Sequence, residues 1–493
     1  MKHCINNYFT KARTSLVLLL SGSLLAACTA GPTYQRPEMD LPENWVTKPS
    51  AISPATSKPV NAAGERWWNL YADPVLNKIE DEALAHNVDA QVATARILEA
   101  RAQLGITESD QYPQLNANGA QSRTKSSINP GLFIPPVRIV NLSRTTLDAS
   151  YELDLWGKFR RASEASRADL FAAKFNQDAV HFSLTAQVAQ QYFALLSADV
   201  QESAIHRLLA GRQERFALDK KRYTAGVISE YDLHQSKADA DAAQSQLISI
   251  IQTRHQREAS LALLLGRSPR NVMNGKLERG NPTLANVWVP DGLPAELLLR
   301  RPDIQEAEQK LMAMNARIGA ARAQFFPSIS LTSYLGSQSI SLSDLFTGPA
   351  GVFRFAAGIS QPIFNGGRIK FGVKVAESRR DQALAQYKQA VANAFADVRN
   401  ALFAQESARQ ILAAESSRSR ALSKAHKQAE LRYKIGISSH LELLDVERNY
   451  LQAELTRIDA ERAQRAAVAD LFKALAGGWQ QSTVKPTQPS LPS

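Results

Sequence analysis

The sequence predicts a mixed α/β membrane protein, in which four strands per chain enter a closed β-barrel that long α-helices continue. Three observations carry this: a leader ending in cysteine, two long proline-free stretches that read as extended helices, and four alternating segments between helices.

The leader comes first. Residues 1–27 hold Lys2, Lys11 and Arg13 and no acid, followed by an apolar run from Leu16 to Ala27. The run is short for a bilayer span and has the layout of a secretory signal peptide. It ends in Leu25-Ala26-Ala27-Cys28, which resembles the lipobox of bacterial lipoproteins. That resemblance implies cleavage before Cys28, acyl chains on it, and outer-membrane export, since Thr29 replaces the aspartate of the inner-membrane retention signal. An uncleaved anchor with an incidental cysteine is the alternative. Cys4 leaves with the leader, so the mature chain has no thiol for a disulfide or a nucleophile.

Composition excludes some classes. The net charge of +11 is spread among many acids, and three positives lie in the leader, so no nucleic-acid partner is expected. After the leader no apolar run is long enough for a transmembrane helix, and any membrane span must be a β-barrel.

Proline is absent from Val137 through Ser268 and again from Ile363 through Lys485. Both stretches are rich in good helix formers. They predict long helices over 158–223 and 368–434, each roughly 100 Å at 1.5 Å per residue. Gly226 and Gly436 mark the turns that follow, and return helices are expected over 231–265 and 441–476. In the last, Leu441, Leu444, Leu451, Leu455 and Ile458 form a heptad-like stripe. Shorter helices are expected over 74–110 and 302–325, each opened by proline.

The strands lie between these helices. In Ser143–Trp156, Leu147, Ala149, Tyr151, Leu153 and Leu155 alternate with Thr146, Asp148, Ser150, Glu152 and Asp154. Pro327–Gly336 and Val352–Ile363 alternate likewise, and Gln111–Gln121 does so more weakly. Alternation of this kind marks a strand with one wet face. Edge hairpins of a soluble domain would show it too, but nothing else in the chain reads as sheet for them to join.

The chain also repeats. Arg222-Tyr223 and Gly226 recur as Arg432-Tyr433 and Gly436, while Asp89, Gly105 and Pro113 recur as Asp303, Gly319 and Pro327. The expected plan follows. A signal peptide (1–27) and an acylated segment (28–73) precede a first repeat over 74–268, with its hairpin about 111–156. A linker or equatorial segment (269–301) leads to a second repeat over 302–478, with its hairpin about 327–364. A flexible tail (479–493) ends the chain. Four strands cannot close a barrel and open edges are not tolerated in lipid, so several chains must share one. Three copies give twelve strands, an even number within the bacterial range.

These features together resemble the TolC-type outer-membrane factors, and more closely the lipoprotein branch called OprM or NodT. The resemblance rests on Leu25–Cys28, Trp67-Trp68, Tyr151–Lys158, Leu299–Ile304, Ala323–Pro327, Arg432–Gly436 and Leu443–Asp445. It implies a homotrimeric twelve-stranded barrel, a helical barrel in the periplasm and a mixed equatorial region. It implies the exit duct of a tripartite efflux pump, docked to a periplasmic adaptor and an inner-membrane RND-type pump. A type I protein secretion duct would share the fold, and a pore-free helical adaptor lipoprotein would need no alternating hairpins.

No phosphate loop, His-Glu metal pair or nucleophile elbow occurs, so neither an enzyme, a metal nor a cofactor is expected. The scattered histidines, His181, His206 and His426 among them, read mostly as exposed helix-face residues. Five methionines and no metal cluster give no pointer to a metal cargo, and the resemblance assigns cargo selection to the pump.

The candidate functional residues are therefore passive ones. Asp148, Glu152, Asp154 and Arg354 on the wet strand face would line the lumen. The resemblance places a periplasmic gate at Leu441, Asp445 and Arg448; helix capping alone would also account for an acid at 445. Tyr433 would brace that closure or simply pack. Gly226 and Gly436 mark the adaptor-docking tips and, in either case, helix stops. Cys28 would carry the lipid.

Overall fold

The computed structural model describes residues 30–40, 66–125, 139–283 and 295–475. Cys28, the leader and the tail lie outside them, as does most of the segment 28–73.

In chain order, a 3-10 turn (Trp67–Tyr71) leads to α1 (Pro74–His86) and α2 (Val88–Ser109). A hairpin follows, β1 (Gln114–Lys125) and β2 (Ile139–Leu153). Next come α3 (Lys158–Thr224), α4 (Glu230–Leu264) and the short α5 (Pro269–Asn274). The second half runs α6 (Pro302–Ala323), β3 (Ser328–Ser339), β4 (Gly351–Ser360), α7 (Arg368–Lys434) and α8 (His440–Ala474). The duplication is visible in lengths. Helices α3 and α7 have 67 residues each, α4 and α8 have 35 each, and α2 and α6 have 22 each.

Several boundaries differ from the sequence reading by a few residues, β4 for one ending at Ser360 rather than Ile363, and three of them bear on the site. The helix expected over 74–110 is two helices. Asn87 is extended (φ −60°, ψ 136°), and its Oδ1 accepts from the N–H of Asp89 at 2.8 Å and of Ala90 at 3.1 Å. One residue thus ends α1 and caps α2. Strand β1 starts after Pro113, at Gln114. Strand β2 stops at Leu153, because Asp154 turns to meet the start of α3: its Oδ2 accepts from the backbone N–H of Arg160 at 2.8 Å.

The chain forms two compact units, and neither is one of the repeats. Among the described residues, the first draws on those within 1–39, 96–174 and 306–388, the second on those within 40–95, 175–305 and 389–493. Each repeat thus supplies residues to both.

The first unit holds the sheet, wholly antiparallel in the order β1-β2-β3-β4. The central β2–β3 pairing joins the two hairpins, from Ser143↔Ser339 to Leu153↔Ile329. At the base of the sheet the indole N–H of Trp156 donates to the Pro327 carbonyl at 2.7 Å, and its ring stacks on Phe326. Alanines Ala165, Ala168, Ala313 and Ala316 pack α3 onto α6, where small side chains let the backbones approach. Residues 30–36 strap onto this unit. Ala30 N–H donates to the Trp156 carbonyl, and the Arg36 guanidinium grips Glu308 with two bonds of 2.7 Å. Gly31 (φ +111°) passes so close to Gly319 that an added Cβ would lie 2.4 Å from its Cα, which excludes a side chain there.

The second unit has an aromatic core. Trp67 stacks on Phe472 at 5.6 Å, and Tyr71 meets Phe193 at 4.7 Å. Leu76, Ile79, Leu195, Leu261 and Val468 complete it. Burial of each large apolar side chain contributes roughly 1.5–3 kcal/mol. The two tyrosine hydroxyls are satisfied: Tyr71 donates to the Arg465 carbonyl and Tyr192 to Asp73. Along the long helices Ile205, Leu209, Ala243 and Leu247 pack α3 against α4. Among the described residues no helix is long and apolar enough to cross a membrane.

Candidate functional site

Two regions concentrate the candidate residues, one in each unit. In the sheet the uninterrupted register sorts the side chains into two faces, because successive residues alternate sides. One face is apolar over four successive cross-strand rows. These are Leu153–Ile329–Ile359, Tyr151–Leu331–Ala357, Leu115–Ala149–Ser333–Phe355 and Ala117–Leu147–Leu335–Phe353. From Ile359 to Phe353 the strand rises roughly 20 Å, comparable to the apolar band of about 25 Å on an outer-membrane barrel. Phe353, Phe355, Ile359 and Leu335 are exposed in the single chain. An isolated soluble sheet would cover such a surface.

The opposite face is polar. One row reads Asn116–Asp148–Tyr334–Arg354. The Asp148 carboxylate accepts from Asn118 Nδ2 at 2.5 Å and from Thr146 Oγ1 at 3.1 Å, so it is held without a cation. The guanidinium of Arg144 lies 4.3 Å from the centroid of the Tyr334 ring. Glu152 is on the same face and pairs with Lys158 at 3.0 Å. Three of the four residues expected on the wet face, Asp148, Glu152 and Arg354, are there. Asp154 is not: it lies beyond the strand, bonded to Arg160, and caps α3 instead. The two outer strands, β1 and β4, each have an edge with no partner among the described residues.

The second region is where α3 turns into α4 and α7 into α8. The two turns are built alike. Gly226 (φ +71°) and Gly436 (φ +77°) take the left-handed conformation that ends each long helix. Val227 N–H donates to the Arg222 carbonyl and Ile437 N–H to the Arg432 carbonyl, both at 2.9 Å. Serine then caps each return helix: Ser229 accepts from Asp232 N–H and Ser439 from Glu442 N–H, both at 3.2 Å. Only the first turn has the reciprocal box, in which Asp232 also accepts from the Ser229 N–H. At the second turn Glu442 faces Arg432 at 3.7 Å.

Leu441, Asp445 and Arg448 share one face of α8, at spacings of four and three residues. Leu441 is 76% exposed, and Arg448 Nη2 donates to Asp445 Oδ1 at 2.7 Å. Asn449 donates to the other carboxylate oxygen at 3.2 Å. The acid and base of this face are therefore paired within one chain. Tyr433 stands apart from it, at the end of α7. Its hydroxyl accepts from Arg222 Nη1 of α3 at 3.4 Å, an inter-helix hydrogen bond. Burial, then the Asp219 carboxylate, pushes its titration upward, so the phenol stays neutral.

Sequence reasoning missed what lies behind Tyr433. His440, the first residue of α8, sets its ring 5.8 Å from the Tyr433 ring and its Nε2 3.7 Å from Asp239 Oδ2 on α4. Its side chain is only 14% exposed, unlike the exposed histidines that were expected. Glu447, one helical turn past Leu443, is also buried, against Arg215 at 3.0 Å and Arg212 at 3.8 Å. A histidine just after the Ser438-Ser439 cap was the only local signal, and nothing in sequence links it to Asp239. Among the described residues no three His, Cys, Asp or Glu side chains are grouped to hold a metal ion.

Residues 80–267 and 293–477 match the family described as outer membrane efflux protein. The chain is 35% identical over 461 residues to the cation efflux system protein CusC of Escherichia coli O6:H1, across 93% of this chain and 97% of that protein. It is likewise 35% identical over 460 residues to the probable outer membrane lipoprotein SilC of Salmonella typhimurium, across 92% and 97% of the two. Among solved structures it superposes on the Campylobacter jejuni CmeC outer membrane channel with a TM-score of 0.85 and 27% identity, covering 92% of this chain and 96% of that one.

Proposed function

The chain belongs to the outer membrane efflux protein family, as an outer-membrane channel of an efflux system, and from that premise we propose how it conducts. Three copies pair β1 of one sheet with β4 of the next and close a twelve-stranded barrel. The observation that carries this reading is the four-stranded sheet with one apolar face, one polar face and two unpaired edges. Closure satisfies both edges, turns the apolar face to lipid and encloses the polar face as a lumen.

In this reading Asp148, Glu152 and Arg354 line a wet passage, and cargo moves down its own gradient without chemistry on the wall. The α8 face of Leu441, Asp445 and Arg448 is the constriction at the periplasmic end. Three copies of Asp445 around one axis repel one another at close range, and the in-chain bond to Arg448 offsets that repulsion. Tyr433 steadies the constriction through its bond to Arg222. The Gly226 and Gly436 turns are the docking points for a periplasmic adaptor, which in turn engages an inner-membrane RND-type pump. Acyl chains on Cys28 hold the channel in the outer membrane beside its barrel.

The test is conductance in a planar bilayer with detergent-purified trimer. Wild-type protein should give small, infrequent openings. Asp445→Ser should raise single-channel conductance severalfold, on the order of the coupling between two conformational states. A protein that mass measurement finds monomeric and that inserts no channels would sink the barrel. Channels of unchanged conductance in the Asp445 variant would sink the gate.

A further inference from the structure

We propose that His440 is a proton-dependent positioning residue of the gate, which on protonation ties the start of α8 to Asp239 of α4 and holds the constriction shut. The proposal rests on the gate reading of Leu441, Asp445 and Arg448.

The argument begins with an unsatisfied site. Both ring nitrogens of His440 are buried with no hydrogen-bond partner, as are Asp239 Oδ2 and the Ser438 hydroxyl. Buried polar atoms are nearly always partnered, so four orphans in one place call for a cause. The imidazole and the carboxylate already face each other, but at 3.7 Å they are too far apart for a hydrogen bond. The structure thus holds a pair that is close and unmade. The neutral ring has one N–H, whose position depends on the tautomer; a second proton makes both nitrogens donors and adds the opposite charge, and a charge-assisted bond is shorter and stronger than a neutral one. Histidine is the side chain whose charge changes between about pH 5 and 8.

Charged groups face the ring from the elements packed against it. On α4, Asp239 faces the ring directly, and Asp232 lies within its electrostatic reach. On α7 the facing group is the neutral Tyr433 phenol. The nearby cations are on α3: Arg222 touches Tyr433, Arg215 acts on that phenol, and Arg212 Nη1 donates to the backbone carbonyl of Asp239 at 3.0 Å; Asp219 of the same helix adds a negative charge near the phenol. On α8 itself Glu442 is engaged by Arg432 and Glu447 by Arg215. Gln235 donates to the other oxygen of Asp239 at 3.5 Å, a long bond.

The consequence follows from position. His440 directly precedes Leu441 and lies one helical turn and a residue before Asp445. Any outward swing of the constricting face of α8 pulls its first residue from α4. The protonated pair resists that motion; the neutral pair does not.

The experiment is bilayer conductance of the full-length trimer across about pH 8 to 5.5. Wild-type conductance is expected to fall roughly fivefold or more on acidification, the lower end of coupling between two states. His440→Phe and Asp239→Asn should each flatten that profile at the alkaline level, whereas His440→Arg should hold conductance low throughout. Circular dichroism and trimer mass check that each variant folds. Asp445→Ser, run alongside, separates the two claims. If it opens the channel while the His440→Phe profile still matches wild type, the proton latch is wrong and the gate stands. If it leaves conductance unchanged, the gate reading itself fails.

Discussion

Single residues here carry costs that the surrounding packing must offset. Glu80 is the clearest. It lies on the core face of α1 with Leu76 and Ala83, fully buried, and neither carboxylate oxygen has a hydrogen-bond partner among the described residues. Burial first, and then the neighbouring Asp81, pushes its titration well above the carboxylate range. In the folded chain the group is therefore neutral where an unfolded glutamate is charged. At acid pH both states keep the proton. As pH rises past the ordinary carboxylate range only the unfolded state releases it, so stability falls until the folded group also ionises. A carboxyl held one pH unit high corresponds to about 1.4 kcal/mol, so Glu80→Gln should gain about that much or more at pH 8 and little at pH 4. Thermal unfolding at the two values measures it; an equal gain at both would show that the proton is not involved.

At the scale of elements, legibility followed periodicity. The 67-residue helices, their glycine stops and the four strands could be read because composition and alternation repeat over many residues. What could not be read was decided by one side chain acting at a distance. Asn87 splits a continuous helical pattern because its amide caps α2 and also donates to the Leu264 carbonyl. Asp154 continues the strand alternation in sequence but leaves the strand to bond Arg160. Leu441, Asp445 and Arg448 are proposed as a gate through resemblance, whereas the His440–Asp239 juxtaposition spans some two hundred residues and leaves no local pattern. The glycine stops also allow a clean test. No atom lies within 4 Å of a Cβ built on Gly436, so Gly436→Ala changes only the backbone preference, by about 1 kcal/mol. Amide exchange should quicken at the α7–α8 turn and stay unchanged in the sheet. Slower exchange at the turn would contradict the left-handed stop.

At the scale of the whole molecule, the sequence announced that a barrel was needed because four strands leave two edges, and the register then showed which face is apolar. The lipobox resemblance also proposes Cys28 as the lipid anchor. Cys28→Ser should abolish incorporation of labelled palmitate and leave the precursor uncleaved, read from a gel-mobility shift; continued labelling would reassign the lipid. The strap at residues 30–36, with Gly31 against Gly319 and Arg36 on Glu308, is docked on the sheet-bearing unit. The two bare strand edges have a genetic consequence. Where three chains share one barrel, a copy with a spoiled edge is not merely inactive, because it joins intact copies and leaves their ring open. At equal dosage only about one assembly in eight contains three sound chains. Such an allele would be dominant over the wild type, which a null allele is not.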